Sequence, residues 1–310
     1  MKDDIVRLGV FFAFFAALSN STVGPLTKFA FRHGVTSDQL AFWRCLGAFL
    51  ALTIIVTIVP GTYRKVALQG RNVWKIAICA FLGIFMLYHF ETIALHYAPL
   101  PQVAFLVFSG GFGAIILDVV FLREKLGIWK VAAIFLVFVG GYLLIRDGSS
   151  QFSSPEGICF ALLAGGGYAS FMFFWKIFKL QSGLPEMWWF LASGALFLSI
   201  PYSISVPAIP SWSILPLVIA LSLIPSLGGF FFTILALRSA HAHQTQVIES
   251  SEPVFSATFG AILFGEWLSP IGVLGSIMIL AGAILMAVIS RFGIASIVGD
   301  AEAKAHATPP

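Results

Sequence analysis

The sequence predicts an all-α integral membrane protein of ten transmembrane helices, arranged as two inverted five-helix repeats. Three observations predict it. Of the 310 residues 59% are hydrophobic and only 10% charged, where a soluble domain would carry about 25% charged residues. Apolar runs long enough to cross a bilayer follow one another along the whole chain. The second half of the chain also matches the first at a constant offset, the one that carries Ala94 onto Ala236.

The spans are expected at 5–30, 38–59, 73–96, 101–122, 127–145, 156–178, 186–205, 213–236, 244–264 and 270–290. The first begins MKDDIVRLGVFFAFFAAL. Its early acids and the lack of a small-residue cleavage site argue for a retained helix rather than a secretion signal. Breaks follow at His33-Gly34, Pro60-Gly61, Pro99 with Pro101, 147–150, 183–185, and Pro207 with Pro210. All the connections are short, leaving no room for an inserted soluble domain.

With the N-terminus inside, fourteen of the 18 Lys and Arg residues fall on cytoplasmic segments; the exceptions are Lys28, Arg32, Arg44 and Arg146. The positive-inside rule therefore places both termini in the cytoplasm and explains the net charge of +4 without an acidic partner. No nucleic-acid motif is present. Cys45, Cys79 and Cys159 stand alone in apolar runs and read as small buried residues, not as disulfides or metal ligands. No cofactor and no metal is expected. His241 and His243 form only an HxH pair, without further ligands.

The constant offset lays ALHYAPLPQV (94–103) on ALRSAHAHQT (236–245) and LREKL (122–126) on FGEWL (264–268), so that Glu124 meets Glu266. Val131 falls on Val273, Gly140 on Gly282 and Leu143 on Leu285; a slightly larger shift pairs Gly34 with Gly183. The expected units are 1–148 and 149–292, followed by a disordered cytoplasmic tail at 293–310. Five spans per copy is an odd number, so the second copy enters the membrane inverted. That is the plan of many alternating-access transporters.

Arg44, ALHYAPLPQVAFL (94–106) and above all SEPVFSATFGAILFGEWLSPIGVLGSIMILAGAIL (251–285) resemble the drug/metabolite transporter superfamily, in particular its EamA-type ten-helix permeases of bacterial inner membranes. The resemblance spans nearly the whole chain. It implies two five-helix bundles around a cavity and export of amino acids or other small metabolites. One departure is Gly111, which stands where family members often have proline and falls opposite Pro253. Either residue loosens a helix.

Ionisable groups deep in a membrane helix cost about 2.5 to 3.5 kcal/mol each on insertion scales, so each needs a reason. Lys28, Arg64, Lys176, Lys179 and Arg291 lie near span ends and can snorkel. Most tryptophans read as interface anchors. Glu124 and Glu266 read as structural, and Asp118 as a partner of Arg123 or Lys125. Arg44, about 9 Å along its helix from Asp38, is either one half of an ion pair or an anion contact.

The deepest candidates form two groups. Tyr88, Glu91 and Thr92 share a face of the third span beside His89, whose favoured reading is a structural hydrogen bond over a proton relay. Thr245, Glu249, Glu252 and Ser256 form a stripe on the ninth, with Gln244 and Gln246 near it. Asn20 in the first span, Tyr168 in the sixth and Gln102 in the fourth complete the substrate or proton set. Ala161, Gly165 and Ala169 read as a packing face, and Pro225 with Gly228-Gly229 as a flexing point.

A secondary transporter of a small-molecule substrate is the leading reading, with Glu249, Glu252 and Glu91 carrying cargo or proton. A carboxylate in a partly dehydrated cavity holds a proton more readily than one in water, so exchange of proton for substrate ammonium is open to it. Proton coupling itself stays an alternative to facilitated diffusion, and monomer and homodimer stay equally open. A non-transporting sensor or scaffold is the second reading. An intramembrane enzyme is the third: HExxH and GxSxG are both missing, and Ser109, His89 and Glu91 have no spacing that specifies a triad.

Overall fold

The computed structural model describes residues 2–98, 100–110, 121, 127–147, 154–181, 183–239, 242–265 and 267–292, and among them it is helical with no strand. In chain order the helices are α1 (Lys2–Asn20), α2 (Val23–Arg32), α3 (Ser37–Ile58), α4 (Thr62–Gln69), α5 (Val73–Ala80), α6 (Phe90–Tyr97), α7 (Leu100–Gly110) and α8 (Ile128–Asp147). Then come α9 (Pro155–Ile177), α10 (Leu184–Ile204), α11 (Leu215–Leu221), α12 (Phe230–Ser239), α13 (Ala242–Glu249), α14 (Glu252–Phe264) and α15 (Pro270–Phe292). Among the described residues, seven helices or continuous helix runs are long and apolar enough to cross a bilayer. They match the expected first, second, third, sixth, seventh, eighth and tenth spans. The apolar part of α8, Ile128–Leu143, is shorter. Asp118, Glu124, Glu266, Gly111 and the tail at 293–310 lie outside the described residues.

Two expected spans are interrupted. The first breaks at Ser21-Thr22, where the two hydroxyls donate to the carbonyls of Leu18 and Ser19 at 2.7 Å and Pro25 supplies no N–H to the next turn. The ninth, expected as one helix, breaks at Ser250-Ser251, between Glu249 and Glu252. Its stripe thus belongs to two helices. Ser251 Oγ donates to Ile248 O at 2.8 Å, and Pro253 in the first turn of α14 starts the second piece.

Two stretches widen from α to π geometry: Phe81–His89, between α5 and α6, and Ser222–Gly229, between α11 and α12. The offset that carries Ala94 onto Ala236 lays the first on 223–231, almost the second. Pro225 sits inside the second, where its missing N–H suits a helix that has already lost α-type bonding. The flexing point expected at Pro225 and Gly228-Gly229 is therefore a π segment.

The most extensive packing joins α8 to α15, and α3 packs broadly on α10. The α8–α15 contact is reciprocal. A Cβ on Gly140 would lie 2.5 Å from Gly275 O and 2.9 Å from Ile279 N; one on Gly282 would lie 2.7 Å from Ala133 O and 3.2 Å from Val137 N. The same offset relates Gly140 to Gly282, Ala133 to Gly275 and Val137 to Ile279, so each glycine meets the equivalents of the other's neighbours. On α9, away from the expected packing face of Ala161, Gly165 and Ala169, Gly167 approaches Leu82 O so closely that a Cβ would lie 2.6 Å away.

Three sequence expectations need adjustment. Cys45 and Cys79 are buried, but Cys159 is exposed on the outside of the bundle. Trp175 is buried rather than an interface anchor, whereas Trp212 and Trp267 are exposed. Gly34 and Gly183 do not play matching parts: Gly34 is left-handed at φ +80°, and Gly183 is extended at φ −150°.

Candidate functional site

Between the two π segments lies a small chamber. Asn20, Arg44, Tyr88, Glu91, Tyr168 and Glu252 line it together with Ser226, Phe230 and Thr233. Its volume, about 20 Å³, accommodates about one water molecule. Six of the expected site residues thus converge on one point from α1, α3, the first π segment, α6, α9 and α14. Tyr88 and Phe230, equivalent positions of the two halves, face each other with ring centroids at 5.7 Å.

Arg44 is fully buried and forms an ion pair with Glu91, Nη2 to Oε2 at 3.0 Å. Its guanidinium also stacks on Tyr88, 3.7 Å from the ring centroid. The open alternative for Arg44 therefore resolves to the ion pair. Its Nε and Nη1 have no hydrogen-bond acceptor among the described residues. A fork with one edge spent on a carboxylate still offers N–H groups to an acceptor entering the chamber.

Glu249 stands one layer behind. Its Oε2 accepts from the Tyr168 hydroxyl at 2.5 Å and its Oε1 from the Thr233 hydroxyl at 2.8 Å, while the two hydroxyl oxygens lie 3.2 Å apart. Counting protons is instructive. With Glu249 ionised, both hydroxyl protons point at it and no proton is left for the hydroxyl–hydroxyl contact. With Glu249 protonated, three protons serve three oxygen–oxygen contacts in a closed ring. The cluster thus finds hydrogen-bond partners for the carboxylate in both charge states.

Glu252, likewise buried, differs from Glu249 in position. It lies in the first turn of α14, where the helix N-terminus favours negative charge, and it lines the chamber itself. The break at Ser250-Ser251 separates the two carboxylates: it ends one helix at Glu249 and starts another at Glu252. One turn further along the same face of α14, Ser256 Oγ donates to the carbonyl of Ser21, at the break in the first span, at 3.4 Å. Two interrupted helices therefore meet at the chamber wall.

Other expected residues lie elsewhere. His89 turns away from the chamber toward a separate pocket near the Gly34 end, with Nδ1 3.3 Å from Asp38 Oδ1. Gln102 is buried in α7 without lining the chamber, whereas Asn20, on the chamber wall, packs its amide against Gly229. Gln246 lies in α13, its side chain outside the described set, as are those of His241 and His243. Thr233 is one of the lining residues that sequence reasoning missed, with Ser226 and Phe230. The signal for Thr233 was available, because the offset between the halves carries Glu91 onto it.

Known proteins resemble this chain in sequence and in fold. The family model described as "EamA-like transporter family" matches residues 7–146 and 155–288. A protein of Archaeoglobus fulgidus named "Uncharacterized transporter" is 23% identical over 269 residues, covering 86% of this chain and 93% of its own. A solved structure, titled only as a crystal structure of a protein, superposes with a TM-score of 0.73 at 17% identity, over 91% of this chain and 97% of the other. That likeness concerns the fold alone.

Proposed function

The chain belongs to the EamA-like transporter family, and from that premise we propose that it is a secondary transporter that exports small metabolites, such as amino acids or amphipathic compounds, by alternating access. Membership makes it a membrane transporter; the chamber supports the finer reading. The reciprocal contacts of Gly140 and Gly282 support two inverted five-helix halves, because a two-fold relation produces such self-complementary pairs. The family resemblance suggests export and a bacterial inner membrane, and the distribution of Lys and Arg supports both termini being cytoplasmic.

The observation that carries the reading is the chamber itself: a small space of about 20 Å³ with largely apolar walls, lined also by the charged side chains of Arg44, Glu91 and Glu252 and backed by Glu249. It is too small for a metabolite, so cargo enters only when the halves part. Larger pockets of about 690 and 720 Å³ lie at the two opposite ends. In this reading Glu252 takes a substrate ammonium and the free edge of Arg44 takes its carboxylate or another acceptor. Glu249 takes the proton when substrate leaves.

Purified protein in proteoliposomes tests this by counterflow of amino acids and amphipathic cations under an imposed pH gradient. Glu252→Gln is expected to raise the substrate KM about tenfold or more, and Glu249→Gln to remove the pH dependence of the rate. If both variants transport with the rate and pH profile of the parent, the assignment fails. Substrate binding without flux would instead identify a sensor or scaffold.

A further inference from the structure

The pocket of about 690 Å³ lies where α4, the turn after α9 and the end of α12 meet, on the face expected to be cytoplasmic. Lys65, Lys176, Lys179 and Arg238 line it. Its one lining carboxylate is Glu186, whose Oε1 accepts a 2.5 Å hydrogen bond from Gln69 Nε2. The positive-inside bias explains the sign of these charges. It does not explain why cations from three chain segments converge on one concavity.

The backbone supplies a second observation. After α9 the chain closes a Schellman turn, with Leu180 N donating to Trp175 O at 3.2 Å and Lys179 N to Lys176 O at 3.0 Å. Lys179 takes the left-handed position at φ +51°, which strains any residue but glycine. After α2 the chain makes the same turn with Gly34 at φ +80° and Val35 N donating to Ala30 O at 3.3 Å. Glycine would therefore serve at 179, yet the position holds a lysine.

The opposite pocket, of about 720 Å³, provides the control. Superposing the two turns sets Phe31 on Lys176 and Gly34 on Lys179, and the offset between the halves sets His96 on Arg238. All three counterparts line this second pocket. The fold builds both pockets, and only one is strongly basic. Trp175 also lines the basic pocket, is 2% exposed, and its indole Nε1 has no acceptor among the described residues. A buried indole N–H normally has an acceptor.

We propose that this basic pocket is a binding site for a phosphate-bearing anion, either an acidic phospholipid headgroup or a soluble phosphate compound. Lys65 belongs to the first family-matched half and Lys176, Lys179 and Arg238 to the second. A bound anion therefore ties the two halves together at this end and stabilises the closed arrangement. The site is independent of which substrate crosses the chamber.

The test uses the full chain in nanodiscs of phosphatidylcholine alone, with phosphatidylglycerol added, or with inorganic phosphate in the buffer, reading thermal unfolding by tryptophan fluorescence. One of the two anions is expected to raise the midpoint by about 3–5 °C. A response to phosphatidylglycerol alone assigns the headgroup; a response to phosphate in neutral membranes assigns a soluble ligand. Lys65→Gln/Lys179→Gln/Arg238→Gln is expected to lose most of the increment. Lys179→Gly, which relieves the backbone and so keeps the fold, is expected to lose about half of it. The site is refuted if neither anion shifts the parent protein, or if Lys179→Gly retains the full increment.

Discussion

Tyr168 meets Glu249 hydroxyl to carboxylate at 2.5 Å, bringing α9 onto the last residue of α13 at the point where the ninth span breaks. With Thr233 on the other oxygen, this contact fixes the charge-bearing end of a short helix. Tyr168→Phe removes one donor and leaves Glu249 only partly satisfied. It is expected to cost about 1–3 kcal/mol in stability and to slow transport about tenfold. In a double-mutant cycle, Glu249→Gln should add little to Tyr168→Phe if the two act as a unit; additive losses would show that they do not.

The Arg44–Glu91 pair is buried at both ends. Removing one partner strands the other, so Arg44→Leu and Glu91→Leu are each expected to destabilise by about 3–5 kcal/mol, with the double variant recovering much of that loss. Arg44→Lys should fail to restore transport, since an ammonium lacks the planar face that lies on Tyr88. Thermal unfolding in detergent and counterflow read the two effects separately.

Gly140 and Gly282 test the seam between α8 and α15. Alanine at either position places a methyl group against backbone atoms of the opposite helix and is expected to cost about 1–3 kcal/mol. Gly166→Ala, with open space around it, should be neutral or stabilising by up to about 1 kcal/mol. Equal unfolding midpoints for all three would contradict the close approach.

The thiols differ in access. In mild detergent one equivalent of a small maleimide is expected to label Cys159, with Cys45 and Cys79 reacting only after denaturation. Mass spectrometry of the labelled peptides decides the order, and early labelling of Cys45 would place α3 differently.

Much of the fold was legible because crossing a bilayer demands long apolar runs, and these are visible without knowing what they pack against. Six residues of the chamber were legible for a related reason: an isolated Arg44, Glu91 or Glu252 in such a run needs a destination. The pairing of Arg44 with Glu91 was less accessible, since it joins residues 47 positions apart on separate spans. Thr233 escaped notice because a lone threonine is unremarkable in a membrane helix, and only its relation to Glu91 marks it. The break at Ser250-Ser251 was hidden for a subtler reason. Thr245, Glu249, Glu252 and Ser256 keep helical spacing across it, so periodicity alone reads straight through. Lys179 looked like a snorkelling lysine because backbone conformation leaves no trace in a side-chain pattern.

The paired π segments carry a mechanical consequence. Each π turn holds a residue more than the α pattern allots, so Phe81–His89 and Ser222–Gly229 are over-filled lengths of helix. If one tightens to α geometry, everything beyond it must rotate about the helix axis and advance along it. Tyr88 with Glu91 on one side, and Phe230 with Thr233 on the other, lie at the threaded end of such a screw. Winding one helix and unwinding its counterpart would exchange the side chains presented to the chamber with little tilting of either helix.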